Sequence, residues 1–478
     1  MRPESSLSAL PRVEPSASAP RERAMRKVLV VAYRFPPQGG GGVQRTLKFV
    51  KYLPAEGWLP LVHTVVNPYW PLQDATLLGE IPPIVKVSRS RTFEFERFAR
   101  SADGLLSNEE RATAPARPAA EPPRRSSLSR RLLKSLAAFV QKHLLVPDAQ
   151  ITWVPGAFFR SLSLLRREAV DIVYTSSPPN SGQVLGLLLK IASGRPWVAD
   201  LRDPWTEGIR RKQAYEKSRL RGALEHALER LVFARADHIM VTTEKTLEQY
   251  LAKYPAVPRD RYSVITNGFD PGDFTLDASS DRLLNRDEFN VTLTGNVEAM
   301  FDATPFFAAV KELVEESEDL RAHMRINFVG TKRGKYDGLL RDLGLEGTVR
   351  YIGYVPHRTS LRYLAESDAL FLCQIPVYES ATTKLSGKLF EYLYMRKPIL
   401  ALTLPGLTSD ILSRSGLGTA VDPGDIVGIK KAVRDLYTDW RSGHGRVVAD
   451  EAYIGTFDRT RQTKRLAGLF DRVAASPR

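Results

Sequence analysis

The feature that most constrains this chain is a strict alternation. From Lys27 onward, short runs rich in branched and aromatic residues are separated by longer stretches of helical period. Runs that are apolar throughout, rather than at every second position, fit strands covered on both faces, and connections of helical length fit parallel βα units. The first six fall at Lys27–Tyr33, Leu59–Val65, Asp171–Thr175, Trp197–Leu201, His238–Thr242 and Tyr262–Thr266. Six more fall at Asn290–Gly295, Arg325–Gly330, Thr348–Gly353, Ala369–Gln374, Pro398–Thr403 and Gly418–Val421. A chain of 478 residues exceeds the roughly 250–300 residues at which single cores stop growing. Two doubly wound α/β lobes are therefore expected.

The turn-forming cluster Asn267-Gly268-Phe269-Asp270-Pro271-Gly272-Asp273, with the polar stretch after it, marks the join. Domain bounds follow as 25–275 and 276–454, with a cleft between the lobes. The segment 455–478 holds a last helix from about Phe457 to Val473, whose Leu466, Leu469, Phe470 and Val473 require a surface to pack on. Residues 1–24, rich in Ser, Pro and Ala, read as a disordered tail, and Met25 offers an alternative start. Residues 91–125, rich in Arg, Ala, Pro, Ser and Glu, read as a disordered insertion. The stretch 124–145 forms a basic amphipathic helix, with Leu128, Leu132, Leu136 and Phe139 on one face and Arg131, Lys134 and Lys142 around it. Such a helix suits an anionic membrane surface, and equally an ordinary packed surface position.

The formal net charge is +15, which favours anionic partners without choosing among them. No recognised nucleic-acid module accompanies it, so nucleic acid is not an expected partner. The longest uncharged stretches are broken by Pro and Asn, so no membrane span is expected, and no apolar signal core opens the chain. A cytoplasmic protein results, peripheral on the inner membrane face if the 124–145 helix binds lipid. The single cysteine, Cys373, lies in an apolar run and reads as a core residue. No DxD-like pair or His/Cys/carboxylate cluster suggests a metal, and no cofactor is expected.

One loop carries chemistry by its context. The strand ending at Tyr33 is followed by Phe35-Pro36-Pro37-Gln38-Gly39-Gly40-Gly41-Gly42 and then a helical run from Val43 to Tyr52. Successive glycines let backbone N–H groups approach an anion, and the helix N-terminus adds its positive dipole end. The spacing is neither a dinucleotide fingerprint nor a P-loop. A phosphate or pyrophosphate cradle is the reading, with a purely conformational glycine run as its alternative.

The opening segment Lys27-Val28-Leu29-Val30-Val31-Ala32-Tyr33-Arg34-Phe35-Pro36-Pro37, the glycines, and Val43-Gln44-Arg45-Thr46-Leu47-Lys48-Phe49 together resemble the start of retaining GT-B glycosyltransferases of family 4. Further matches follow in family order: Asp200-Leu201-Arg202-Asp203-Pro204-Trp205, Asn267-Gly268-Phe269-Asp270, Thr294-Gly295-Asn296, Phe328-Val329-Gly330, Tyr351-Ile352-Gly353 and Lys388-Leu389-Phe390-Glu391-Tyr392.

The resemblance implies a donor nucleoside-diphosphate sugar, UDP-linked, in the C-terminal lobe and a lipid-linked or saccharide acceptor in the N-terminal lobe. Donor contacts carried over are Gly40, Gly41, Gly295, Asn296, Tyr354, Val355, Thr383, Ser386, Lys388 and Glu391, with Glu391 on the ribose hydroxyls, Lys388 on the diphosphate and the Tyr354-Val355 loop on the base. Acceptor contacts are Gln44, Arg45, Arg202 and Asp203, with a structural Arg–Asp pair as the alternative for the last two. The setting implied is cell-envelope, capsular or exopolysaccharide biosynthesis. Retention implies that the donor's own phosphate takes the acceptor proton, so no catalytic base is assigned. Thr383 stands where the family often has a first glutamate, Asn296 and Asp302 where it has Arg and Lys, and Thr175-Ser176-Ser177-Pro178-Pro179 where it often has His. These departures mark a divergent branch and leave open a non-catalytic nucleotide-sugar-binding or scaffold protein, or a 2-epimerase on the same fold.

Overall fold

The computed structural model describes residues 25–66, 68, 72–93, 145–207, 218–274, 281–295, 302–330, 334, 336–374, 385–443 and 447–476. Within them, two parallel sheets carry the chain. The first is ordered β3-β2-β1-β4-β5-β6-β7, with β1 Arg26–Ala32, β2 Trp58–Val65, β3 Lys86–Ser90, β4 Ile172–Ser177, β5 Trp197–Leu201, β6 His238–Val241 and β7 Tyr262–Val264. The second is ordered β10-β9-β8-β11-β12-β13, with β8 Phe289–Thr294, β9 Met324–Val329, β10 Val349–Gly353, β11 Ala369–Gln374, β12 Ile399–Thr403 and β13 Gly418–Val421. Each of the twelve expected strands is present within a residue or two, as part of two doubly wound lobes of the GT-B kind.

The thirteenth, β3, was not anticipated. Its sequence Lys86-Val87-Ser88-Arg89-Ser90 is polar because it forms the sheet's edge, where one flank faces no partner strand.

Why the runs are apolar throughout is visible in β1. Leu29 and Val31 enter the core on one face of the sheet, Val28 and Val30 the core on the other, all at 1% exposure or less. Successive side chains point to opposite faces, so a strand covered by helices on both must be apolar at every position. Each such side chain contributes about 1.5–3 kcal/mol by its burial.

In both lobes the strand order reverses once, between β1 and β4 in the first sheet and between β8 and β11 in the second. Open α/β sheets leave a crevice at the C-terminal ends of strands where the order reverses. The glycine loop leaves β1 at the first such point. Gly295 leaves β8 at the second.

The chain's end belongs to both lobes. Helix Arg459–Ala475 places Leu466, Leu469, Phe470 and Val473 in a core on the first sheet, where Phe470 meets Trp58 edge-on at 5.3 Å. Just before it, Ile454 and Phe457 pack with Phe390 and Leu361 of the second lobe. Phe269 of the join donates its N–H to Phe457 O (3.1 Å) and accepts from Arg459 N (2.9 Å). The helix starts later than the sequence suggested because Asp458 caps it, accepting from Thr460 N.

Among the described residues no helix is long and apolar enough to cross a membrane. The tail 1–24, the helix region 126–144, all but the first three residues of the 91–125 insertion, Asn296 and Thr383 lie outside the described residues.

Candidate functional site

At the first crevice the loop after β1 is fixed from outside. Gly39 N donates to Leu72 O (2.9 Å) and Asp74 N to Pro37 O (2.8 Å), while Gln38 is buried and donates to Tyr33 O. Gly40 has φ +93°, a conformation that favours glycine. Helix α1 begins at Gly41 (Gly41–Tyr52), two residues earlier than its apolar pattern suggested, so the last two glycines form its first turn. A Cβ added at Gly41 would meet nothing within 4 Å, so this turn faces open space. The N–H groups of Gly41 and Gly42 have no intrahelical partner, whereas Val43 N donates to Gly40 O at 3.0 Å.

The acceptor-side residues divide. Gln44 has a buried Oε1 without a hydrogen-bond partner among the described residues. Arg45, expected to border the acceptor, is 1% exposed. Its Nε and Nη2 reach Asp200 at 2.9 and 3.1 Å, and Nη1 donates to Thr266 O at 2.8 Å. Its guanidinium is consumed inside the lobe. Asp200 also accepts from the Tyr174 hydroxyl at 2.6 Å and lies near two further cations, Arg202 and the buried Arg459, whose own burial lowers its pKa to about 9.

Arg202 is also committed to the backbone. It donates to Ser177 O (2.9 Å), Pro178 O (3.0 Å) and Gly42 O, tying the loops after β4 and β1 together across the crevice. Arg202, expected to face the acceptor, thus acts as a clamp on carbonyls, with Asp203 among the charges that act on it. Asp203 and Arg34 lie in the same electrostatic neighbourhood, where burial and the like charge of Arg202 lower the Arg34 pKa. Arg34 was overlooked because it belongs to no motif beyond being the second residue after β1.

At the second crevice the backbone turns sharply. Gly295 (φ +78°) donates to Val329 O, and Gly330 (φ +90°) donates to Gly353 O, both at 2.6 Å. The glycines are needed for contact as well as for φ. A Cβ on Gly295 would lie 2.5 Å from Lys388 Cε and 2.6 Å from its Nζ. Lys388 is on helix α2 (Gly387–Met395), where Ser386 is the N-cap residue, so its ammonium lies against the end of β8. Burial lowers its pKa to about 8, with Glu391 as the principal opposing influence, and it makes no hydrogen bond or ion pair among the described residues.

Glu391, one turn on, is about a quarter exposed and lies 3.1 Å from His357 Nε2. His357 opens a helix directly after the Tyr354-Val355 loop, in which Tyr354 is 65% exposed. Burial opposes protonation of His357, but the bond to Glu391 outweighs it and raises the pKa. His357 belongs to none of the motifs read from the sequence. The overlooked signal was position, since His357 stands three residues beyond Tyr354.

The two crevices are electrically linked. His357 senses Asp273 and Lys48, and Lys48, buried on α1, is bonded to Glu80 (2.5 Å), Asp270 (2.8 Å) and Asp273. Those three carboxylates are close enough to resemble a metal cage, but the Lys48 ammonium occupies their common centre. Asp270, also bonded to Lys51 and Tyr52, is held near a pKa of about 2 because these partners outweigh its burial. Asp270 and Asp273 belong to the join, so the network ties α1 to the segment between the lobes.

The arrangement presents approachable backbone N–H groups at one strand-order reversal. At the other it presents a desolvated, unpaired ammonium beside an oriented carboxylate. Unpaired donors held in a low-dielectric site suit a leaving diphosphate, where charge develops as a glycosidic bond to phosphate breaks. A partly exposed carboxylate suits paired hydroxyl donors.

Comparison with known proteins agrees with this geometry. Residues 40–268 match the family described as Glycosyl transferase 4-like domain, and residues 288–439 match Glycosyl transferases group 1. Among solved structures, a glycosyltransferase from Rickettsia africae superposes with TM-score 0.56 at 13% identity, over 95% of this chain and all of that one. Sucrose-phosphate synthase from Thermosynechococcus elongatus gives 0.57 at 15%, over 94% and 100%. Anabaena Alr3699/HepE, solved in complex with UDP, gives 0.54 at 14%, also over 94% and 100%. These likenesses show the shared fold. A search of curated proteins finds no match. With one family matched by each lobe and in the order the fold requires, the chain belongs to the GT-B glycosyltransferases, its first lobe of the glycosyl transferase 4-like type and its second of group 1.

Proposed function

We propose that this glycosyltransferase moves a sugar from a UDP-linked donor to a lipid-linked or saccharide acceptor, with retention of anomeric configuration, in the building of cell-envelope, capsular or exopolysaccharide material. The observation that carries the donor half is Lys388, a desolvated ammonium without a partner among the described residues, packed on Gly295 where the second sheet reverses. The UDP bound by the Anabaena neighbour supports the choice of nucleotide.

In this reading the lobe 276–454 takes the donor. Lys388, Ser386 and the backbone at Gly295 receive the diphosphate, joined on closure by the N–H groups of Gly40 and Gly41. Asn296 and Thr383 adjoin the same phosphates, Tyr354 and Val355 face the base, and Glu391, oriented by His357, receives the ribose hydroxyls. The lobe 25–275 takes the acceptor beside Gln44 and Asp203, with Arg202 shaping the loops there and Arg45 holding Asp200 beneath. The donor's phosphate takes the acceptor proton as the sugar–phosphate bond breaks, which accounts for retention without a protein nucleophile. The segment 455–478 packs back across both lobes, and residues 124–145 hold the enzyme to an anionic membrane surface.

Calorimetric titration with UDP-, GDP-, ADP- and TDP-sugars tests this. A UDP-sugar is expected to bind, and Glu391→Ala to weaken binding about tenfold, the scale of losing a charge-assisted pair of hydrogen bonds. If no nucleotide sugar binds, the proposal fails.

A further inference from the structure

Away from both crevices, at the edge strand β7, the C-terminal helix α3 (Arg459–Ala475) and the strand enclose a cavity of about 610 Å³. Four cations line it, Arg461, Lys464, Arg465 and Arg472, together with Ser263 and Gly468. The basic residues recur at positions i, i+3, i+4 and i+11, which places them on one face of α3, with Gly468 at i+7 between them. The opposite face is the one buried through Leu466, Leu469, Phe470 and Val473. The cavity is therefore a designed-looking hollow only in the physical sense that a small residue sits amid long charged ones.

Among the described residues no carboxylate lines the cavity. The one acidic residue of α3, Asp471, is engaged elsewhere by Arg26 and Trp58, each at 3.2 Å. Arg461, Lys464 and Arg472 make no side-chain hydrogen bond or ion pair among the described residues, and Arg465 donates only to Val264 O, at 2.9 Å. Three of the four stand in the first half of the helix, nearer the end at which the macrodipole disfavours cations.

Folding alone explains none of this, because like charges three and four residues apart weaken a helix. A buried reporter registers the same field. His238 Nε2 lies 2.8 Å from the Ser263 hydroxyl, and burial lowers its pKa to about 4, with Arg472 of the cavity the next largest cause, Arg261 and Arg259 acting the same way and Asp260 opposing.

We propose that this cavity is a second anion site, distinct from the donor crevice, for a ligand carrying two or more phosphate groups. Its size is within the range of small-molecule sites, and four cations with the hydroxyls of Ser263 and Thr456 match clustered phosphate oxygens. A soluble phosphorylated metabolite and a phospholipid headgroup share this chemistry. The helix that lines the cavity starts at the join between the lobes, where Arg459 N donates to Phe269 O.

The test uses the full chain carrying Lys388→Ala, which removes the donor crevice's own attraction for diphosphate. Pyrophosphate is titrated calorimetrically at about 0.15 M salt, near physiological screening, and phosphatidylglycerol vesicles are co-sedimented in a parallel arm. The combined Arg461→Ala, Lys464→Ala and Arg472→Ala variant is expected to lower binding at least about tenfold in one arm, and the arm that responds names the source. Gly468→Leu fills the hollow while keeping every charge, and is expected to reduce pyrophosphate affinity, or vesicle binding if that is the responsive arm. All these side chains are exposed, so unchanged thermal midpoints verify folding. Binding unaltered in both arms by the triple variant overturns the site, and binding unaltered by Gly468→Leu overturns the cavity as its location.

Discussion

Lys388→Met separates a residue kept for ligand from one kept for stability, and the structure fixes the sign. Burial brings the Lys388 pKa from 10.5 to about 8. The unfolded chain therefore binds this proton more tightly than the native one. Each pH unit of difference is worth about 1.36 kcal/mol, so the native state bears a penalty on the order of 3 kcal/mol, reduced to about 2 by the side chain's partial opening to solvent. The sign for a lysine with a lowered pKa is the reverse of the usual case. The penalty is complete below about pH 8 and is relieved as pH rises from there toward 10.5. Methionine fills similar space without charge. The variant is expected to be more stable than the natural chain by about 2 kcal/mol at pH 7, with the gap closing as pH approaches 10. Urea unfolding of both proteins side by side reads this difference, and the titrations of all other groups cancel in it.

The same lowered pKa predicts proton uptake. At pH 8 about half of the unliganded molecules carry neutral Lys388, so binding a UDP-sugar should draw in about half a proton, falling to about a tenth at pH 7. Calorimetry in buffers of different ionisation enthalpy measures that number. Equal stability of the two proteins at pH 7, together with proton-neutral binding at pH 8, would refute the picture of a desolvated ammonium waiting for diphosphate.

Three further outcomes follow from the geometry. His357→Ala should raise the donor KM about five- to tenfold with little change in kcat, and His357→Gln, which keeps a donor toward Glu391, should recover most of it; equal effects of the two variants would deny His357 its orienting role. Its raised pKa makes the pair's contribution full below about pH 6.5 and lost as pH rises through the raised value. Asp200→Asn should cost about 3–5 kcal/mol in urea unfolding, because it leaves Arg45 buried without its counter-charge beside Arg202 and Arg459; a loss under about 1 kcal/mol would mean the site is wetter than its burial indicates. Deleting residues 124–145 should reduce co-sedimentation with anionic liposomes, and unchanged sedimentation would remove the membrane role.

What could be read from the sequence divides along a physical line. Both sheets were legible because a strand buried on two faces must be apolar at every position, as β1 and β11 are, and this pattern survives without any alignment. β3 was not, because an edge strand is released from that demand and its Lys86 and Arg89 look like loop. The crevices were legible as well: glycine is required at Gly40, Gly295 and Gly330 by positive φ, and at Gly295 also by the approach of Lys388.

Charge partners were what the sequence left open, and the reason is general. A motif such as Asp200-Leu201-Arg202-Asp203 gives the order of charges along a strand end but not what each one meets. Asp200 turns inward to Arg45, 155 residues away in sequence, and Arg202 turns to carbonyls of two loops. The same logic hid His357, whose partner Glu391 is 34 residues on, and the basic face of α3, whose cavity no carboxylate lines among the described residues. A lone charge and a paired one are identical letters. Only the third dimension separates the arginine that holds the lobe together from the lysine without a partner among the described residues, and in this chain the two stand at the two strand-order reversals.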